Sequence, residues 1–160
     1  MNAADILKYG HLTVCRVIDG LPDADWDIGG VCGVWSVKDI IGHLAAFEHM
    51  LVDVLNSFLG SGATPTLDQY RSDRGFNDVQ AAARKDRPFR EVLAEYNDTQ
   101  AQVMDLMRRI PPETWRAVST LPWYGAEYSL DDFIVYTFYG HKREHSAQID
   151  VFRDGRRKKM

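Results

Sequence analysis

Hydrophobic residues recur at helical spacing along almost the whole chain. The pattern predicts four long amphipathic helices, and no segment alternates polar and apolar residues in the way typical of a strand. The predicted helices span about residues 3–18, 36–59, 86–110 and 129–155, with Asp154-Gly155 closing the last. Helices that each have one apolar face must bury those faces against one another, so the pattern favours a helical bundle.

Two of these helices begin with the same capping sequence. Ser36 is followed three residues later by Asp39, and Ser129 is followed by Asp132. In a capping box the serine side chain accepts a hydrogen bond from the N–H three residues on, and the acidic side chain returns to the N–H of the serine. The starts of the second and fourth helices are therefore predicted sharply.

The connections between the long helices are unusually long. Residues 64–73 are predicted as a loop and residues 77–84 as a short helix, after which Asp86 caps the third helix with Pro88 in its first turn. Connections of about 27 and nearly 20 residues are too long for tight hairpins, so at least one crossover is expected. We predict an all-α protein: a four-helix bundle with long loops and one or two short extra helices.

Composition narrows the class of protein. A chain of 160 residues fits a single domain, predicted over residues 1–155, with residues 156–160 as a basic tail. The net charge of −4 argues against nucleic-acid binding.

The amino-terminal residues do not resemble a signal peptide, and no apolar run is long enough to span a bilayer, so no membrane association and a cytoplasmic location are predicted. Cys15 and Cys32 are predicted to be reduced.

Three histidines carry the candidate chemistry. His141 and His145 lie four residues apart on the last helix, so both point to the same face and can converge on one metal ion. His43 lies on the apolar face of the second helix, where an unpaired imidazole would be costly. Each residue alone is better explained as an ordinary buried or surface histidine, but the three together favour a metal site. Lys142 and Arg143 are assigned to the charged side of the last helix.

Three protein ligands leave a coordination position open, as in catalytic rather than structural zinc sites. Imidazole ligands favour zinc, nickel, copper or iron over magnesium or calcium, and zinc and nickel are the first candidates here. His11 and His49 are interpreted as structural or surface residues. The aromatic loop with Trp115, Trp123 and Tyr124 is either packing over the bundle end or a pocket wall.

The motifs resemble those of a known superfamily. The segment from Trp35 to Leu44 resembles the second-helix signature of DinB/YfiT-like proteins, and the segment from Gly140 to Ile149 resembles their final-helix H-x-x-x-H signature. The region around Gly75-Phe76-Asn77 is similar as well. The ClbS/DfsB-like proteins are a related branch. The resemblance covers essentially the whole chain.

This resemblance implies a four-helix bundle with a metal ion held by His43, His141 and His145, and in many members a homodimer. Superfamily members include S-transferases that use bacillithiol or mycothiol, and a mycothiol-dependent maleylpyruvate isomerase. The first functional hypothesis is therefore a metal-dependent enzyme that transfers a low-molecular-weight thiol to a small electrophile. The alternatives are a metal-dependent hydrolase or isomerase, a non-catalytic stress-response protein that binds a metal or small molecule, and a bundle whose histidines bind nothing.

Two carboxylates are weak candidates for acid–base catalysis. Glu48 follows His43 by about a turn, and Glu144 is adjacent to His145. Either could move a proton or orient a ligand. The simpler interpretation of both is a surface carboxylate.

Overall fold

The computed structural model describes residues 2–72 and 74–158. Over these ranges the chain forms six α-helices and no β-strand. The helices are α1 (Ala3–Ile18), α2 (Val37–Phe58), α3 (Pro65–Ser72), α4 (Phe76–Arg84), α5 (Phe89–Arg109) and α6 (Leu130–Arg157). The predicted all-α class is confirmed. No helix in the described part of the chain is long and apolar enough to cross a bilayer.

The four long helices form two pairs. In the first, α1 packs on α6 and runs parallel to it: the N–H of Ala3 donates to Asp131 at 3.0 Å, and Arg153 donates to the carbonyl of Val17 at the other end. In the second, α2 packs on α5. These two are also parallel, because Gly42 lies against Val92 near their starts and their carboxyl-terminal halves share one apolar cluster. The chain therefore returns from the end of α2 to the start of α5 through α3 and α4.

Both predicted capping boxes are present. The Ser36 hydroxyl accepts from the N–H of Asp39, whose carboxylate accepts from the N–H of Ser36 at 2.9 Å. Ser129 and Asp132 repeat the arrangement at the start of α6. These caps satisfy backbone N–H groups that have no partner within the helix.

The apolar core is divided in two along the bundle axis. One cluster is built from the early parts of α1 and α6 and the late parts of α2 and α5, and the other from the opposite halves. Polar side chains from all four helices lie between the clusters. We call this group the polar layer; its members are His11, Cys15, Glu48, Tyr96, Gln100 and Lys142.

The prediction of a loop over residues 64–73 is wrong, because residues 65–72 form α3. Only Leu67 is buried in this helix, so there is no apolar stripe to reveal it. Its first N–H groups are satisfied from a distance: the buried carboxylate of Asp53 accepts from Thr66 at 2.7 Å and from Leu67 at 3.0 Å. A cap supplied from another helix leaves no local sequence signal. The end of the predicted loop, Asp73, lies outside the described residues.

Other boundaries differ by small amounts. The cap of α5 is Pro88 rather than Asp86. Helix α6 does not close at Asp154-Gly155 but continues to Arg157, and Arg156 donates to the buried Asp25 at 2.9 Å. This ion pair holds the helix beyond the glycine, so the first two residues of the predicted basic tail are helical. Lys159 and Met160 lie outside the described residues.

A carboxylate on α5 joins the crossover helices to the bundle. Glu95 accepts hydrogen bonds from Arg84 and Arg87 and contacts His49 of α2 at 3.0 Å. Burial alone would raise the pKa of Glu95, but the bonds from His49, Arg84 and Arg87 outweigh it and hold the pKa well below its usual range. Since the folded-state pKa is depressed, this stabilisation is present above about pH 4.5 and is lost as the pH falls toward the folded value.

We expect Glu95→Gln to lower the free energy of unfolding at pH 7 by about 1–3 kcal/mol, because two arginines lose their charged acceptor. The difference from the unsubstituted protein should shrink as the pH falls from 5 to 3. Urea denaturation at each pH measures it. The control is Glu91→Gln. The Glu91 carboxylate is exposed and lies 3.6 Å from Arg87, so loss of this weak surface pair should change the free energy of unfolding little. A difference that stays constant with pH would contradict the assignment.

Candidate metal centre

The three predicted histidines meet between α2 and α6. One ring nitrogen from each of His43, His141 and His145 lies within 4.8 Å of the other two. The ring centroids are 4.7–5.1 Å apart. We call these residues the histidine triad. In the described part of the chain, no fourth histidine, cysteine or carboxylate joins this group.

Helix geometry explains the convergence. His141 and His145 share one face of α6 because they are four residues apart. His43 is seven residues beyond its cap on α2, and its ring packs between the rings of Trp35 at 4.9 Å and Phe47 at 4.8 Å. This packing turns the imidazole toward α6.

The closest contact in the triad joins two Nε2 atoms. Those of His43 and His141 are 2.6 Å apart. Without a metal ion, one nitrogen must carry a hydrogen and donate it to the other, because two lone pairs would repel. Two ligands of one tetrahedral zinc ion lie about 3.3 Å apart, so the rings need to separate by less than 1 Å to share an ion.

The three imidazole rings differ in whether their Nδ1 atom has a hydrogen-bond partner. The Nδ1 of His145 contacts Oε1 of Gln148 at 2.8 Å. A carbonyl oxygen only accepts, so Nδ1 carries the hydrogen and Nε2 keeps its lone pair for a ligand. The Nδ1 atoms of His43 and His141 are buried and have no hydrogen-bond partner among residues 2–72 and 74–158. Apart from their mutual Nε2 contact, only helix position and ring packing orient these two imidazoles.

All three rings are neutral at pH 7. Burial, and then the neighbouring His145, lowers the pKa of His43 to about 4. Burial, and then the repulsion that His43, His145 and Lys142 would exert on a protonated ring, lowers the pKa of His141 to about 3. Burial also lowers the pKa of His145, although Gln148 and Glu144 oppose the shift. Neutral imidazoles are the form that binds metals, so the donor set fits a transition-metal ion.

Aromatic rings surround one side of the triad. Phe47 contacts His141 at a centroid distance of 4.5 Å and also packs against Tyr70 and Phe76. These two come from α3 and α4, so the crossover covers this side of the site. Sequence patterns missed Tyr70 because the apolar stripe that would have indicated α3 is absent.

The aromatic loop before α6 packs over the bundle. Trp123 and Tyr124 lie against Phe133 at 5.4 and 5.0 Å. Trp115 lines a cleft of about 420 Å³ beside the starts of α1 and α6, and this cleft contains no histidine. Trp123 and Tyr124 therefore fit the packing interpretation, whereas Trp115 lines a cleft that contains none of the three histidines.

The two candidate carboxylates lie in opposite environments. Glu144 is exposed, as its simpler interpretation predicts. For Glu48 the surface interpretation is wrong: it is fully buried and pairs with Lys142. Glu48 follows His43 by five residues, about 140° around the helix, and so points away from the triad. The placement of Lys142 on the charged side of α6 is also wrong, because this side chain is 1% exposed.

A signal for both buried charges is present in the sequence. Lys142 follows Phe138 by four residues and precedes Ile149 by seven, and Glu48 stands between Leu44 and Leu55 at the same spacings. Both therefore fall inside an apolar stripe. The other two histidines are structural, as predicted: His49 pairs with Glu95, and His11 contacts Cys15 at 3.4 Å.

A family model for the DinB superfamily matches residues 14–149. The match includes all three histidines and most of the chain, so this protein belongs to the DinB superfamily. No curated protein and no solved structure matches the chain. Metal identity, homodimer formation and cytoplasmic location stay predictions.

Removing one imidazole should abolish tight metal binding. We expect His145→Ala, measured by elemental analysis after loading with Zn²⁺ or Ni²⁺, to retain less than about a tenth of an equivalent, because two ligands bind far more weakly than three. His49→Ala is the matched control and should load fully, since His49 lies outside the triad. Full loading of the His145 variant would contradict the assignment.

The depressed pKa values predict a flat pH profile for metal binding. Protons compete poorly for rings that titrate near pH 3 and 4, so affinity should change little between pH 8 and 6 and fall only at lower pH. Competition with a chelator of known pH dependence measures this. A steep fall between pH 7 and 6, typical of solvated histidines, would contradict it.

Proposed function

We propose that this DinB-superfamily protein is a metal-dependent enzyme that transfers a low-molecular-weight thiol to a small electrophile. His43, His141 and His145 would hold one divalent transition-metal ion, with zinc and nickel as the first candidates. The observation that carries the proposal is the convergence of three neutral imidazoles with no fourth ligand among the described residues. Three ligands leave room for a substrate atom.

When bound, the ion would lower the pKa of a thiol and so make a thiolate available near neutral pH. The protein side chains have other roles. Gln148 holds His145 in the tautomer that presents Nε2. Phe47, Tyr70 and Phe76 limit the access of water on one side and offer an apolar surface to the electrophile.

The proposed reaction forms a bond between the thiol sulfur and an electrophilic carbon. The bond from carbon to the leaving group breaks, and the leaving group takes its electron pair. The thiol proton passes to a base and then to the leaving group or to water. Glu144 is the candidate base in the protein, because it is exposed and adjacent to a ligand.

The test is turnover of the Zn²⁺- or Ni²⁺-loaded protein on electrophiles with bacillithiol, mycothiol or glutathione. We expect thiol-dependent turnover that falls by at least about 100-fold in His145→Ala, since the loaded site is lost. His49→Ala should keep full activity, and Glu144→Gln should slow turnover if Glu144 moves the proton.

Other outcomes decide between the alternatives. Metal-dependent turnover that is indifferent to thiol would replace the transferase by a hydrolase or isomerase. Tight metal binding without turnover across the thiols and electrophiles would favour a binding protein.

A further inference from the structure

A buried ion pair joins the two helices that carry the histidine triad. Lys142 of α6 contacts Oε1 of Glu48 of α2 at 2.5 Å, and their side chains are 1% and 0% exposed. Lys142 also donates to Oε1 of Gln100 on α5 at 2.7 Å. Its aliphatic stem lies over α1, where a Cβ on Gly10 would come within 3.1 Å of it. The lysine therefore contacts all three other long helices.

Stability alone is a poor explanation for this pair. Removing a lysine and a carboxylate from water is costly, and their attraction often fails to exceed the cost. Oε1 of Glu48 lies 2.5 Å from Nζ of Lys142, but neither carboxylate oxygen of Glu48 has a hydrogen-bond partner among the described residues. The hydroxyl of Tyr96 in the same polar layer has none either. A pair of apolar side chains in this place would be expected to stabilise the bundle equally well or better.

The location of the pair suggests a different role. Helix α2 packs mainly on α5, and α6 packs mainly on α1, so few direct contacts set the distance between α2 and α6. The Glu48–Lys142 pair crosses this gap on the buried side of the two helices, and Lys142 directly follows His141 in the sequence. The rings of His43 and His141 have no Nδ1 partner that would orient them independently. Their separation therefore depends on where the two helices lie.

We propose that the Glu48–Lys142 ion pair is a positioning device that sets the separation of His43 from His141 for metal binding. The inference rests on the metal site proposed above. Glu48 and Lys142 are positioning residues, because neither belongs to the triad. When the pair is removed, α2 and α6 take a spacing set by apolar packing, and three intact ligands bind the ion less well.

The main test variant replaces both charges with apolar side chains of similar size, Glu48→Leu/Lys142→Met. We expect its Tm to stay close to that of the unsubstituted protein, because removal of the costly buried pair is offset by loss of the Lys142 bond to Gln100. Its Zn²⁺ affinity, measured by chelator competition, should fall about tenfold or more, as for other groups that orient ligands. Glu48→Gln, which keeps the shape but not the charge, should also bind Zn²⁺ more weakly. Unchanged affinity in the folded double variant would overturn the proposal.

Glu95→Gln is the matched control. It removes another ion-paired carboxylate, whose polar partners among the described residues are His49 on α2, Arg84 on α4 and Arg87. It should lower Tm and leave Zn²⁺ affinity within about twofold, as expected for a separate site. If Glu95→Gln weakens Zn²⁺ binding as much as the double variant, general loosening of the bundle is the cause and the proposal fails.

A metal-free readout separates this proposal from the metal site itself. Crystal structures of the metal-free unsubstituted protein and the double variant should differ in the distance between the Nε2 atoms of His43 and His141. An unchanged distance would overturn the positioning role. If the unsubstituted protein binds neither Zn²⁺ nor Ni²⁺, the proposed function fails, and a changed distance would still support the role of the pair in spacing α2 and α6.

Discussion

The distance between α2 and α6 is the constraint on which the candidate site depends. His43 comes from one helix and His141 and His145 from the other, so a small sliding of either helix would separate the ligands. These helices are not each other's main packing partners. Their approach is fixed by a small group of direct contacts: ring against ring at the triad, and charge against charge at Glu48 and Lys142. The candidate metal ligands and the contacts that hold α2 and α6 together therefore lie between the same two helices.

The crossover through α3 and α4 is tied to the bundle by long-range polar contacts rather than by a large apolar face. Asp53 of α2 satisfies the start of α3, and Arg84 of α4 bonds to Glu95 of α5. Gly42 allows this approach, since a Cβ there would lie 2.9 Å from the Arg84 side chain. Tyr70 of α3 and Phe76 of α4 lie beside Phe47. The segment that connects the helices also forms one wall of the site.

Sequence patterns that span only one or two helical turns predicted the corresponding local structure correctly. The capping boxes at Ser36 and Ser129 each need only residues within one turn, and the helices they start are found where predicted. The triad was predictable because helical spacing and residue type pointed to His141 and His145, and the position of His43 on an apolar helix face added the third ligand. The family resemblance then supported the same three residues. Features that depend on residues distant in sequence were missed. The cap of α3 comes from Asp53 and the extension of α6 from Asp25. For Lys142 the apolar stripe of α6 indicated burial, but its buried partners, Glu48 and Gln100, lie on other helices and could not be identified.

The parallel pairing of α1 with α6 has a consequence for how the chain folds. The main packing partner of the first helix is the last one, more than a hundred residues later. During synthesis the apolar face of α1, with Leu7, Val14 and Val17, lacks its main packing partner until α6 has been made. Contacts between such distant segments slow folding and leave apolar surface exposed in the meantime. The nascent chain is thus prone to aggregation before α6 emerges, and a chaperone that shields α1 would act in that interval.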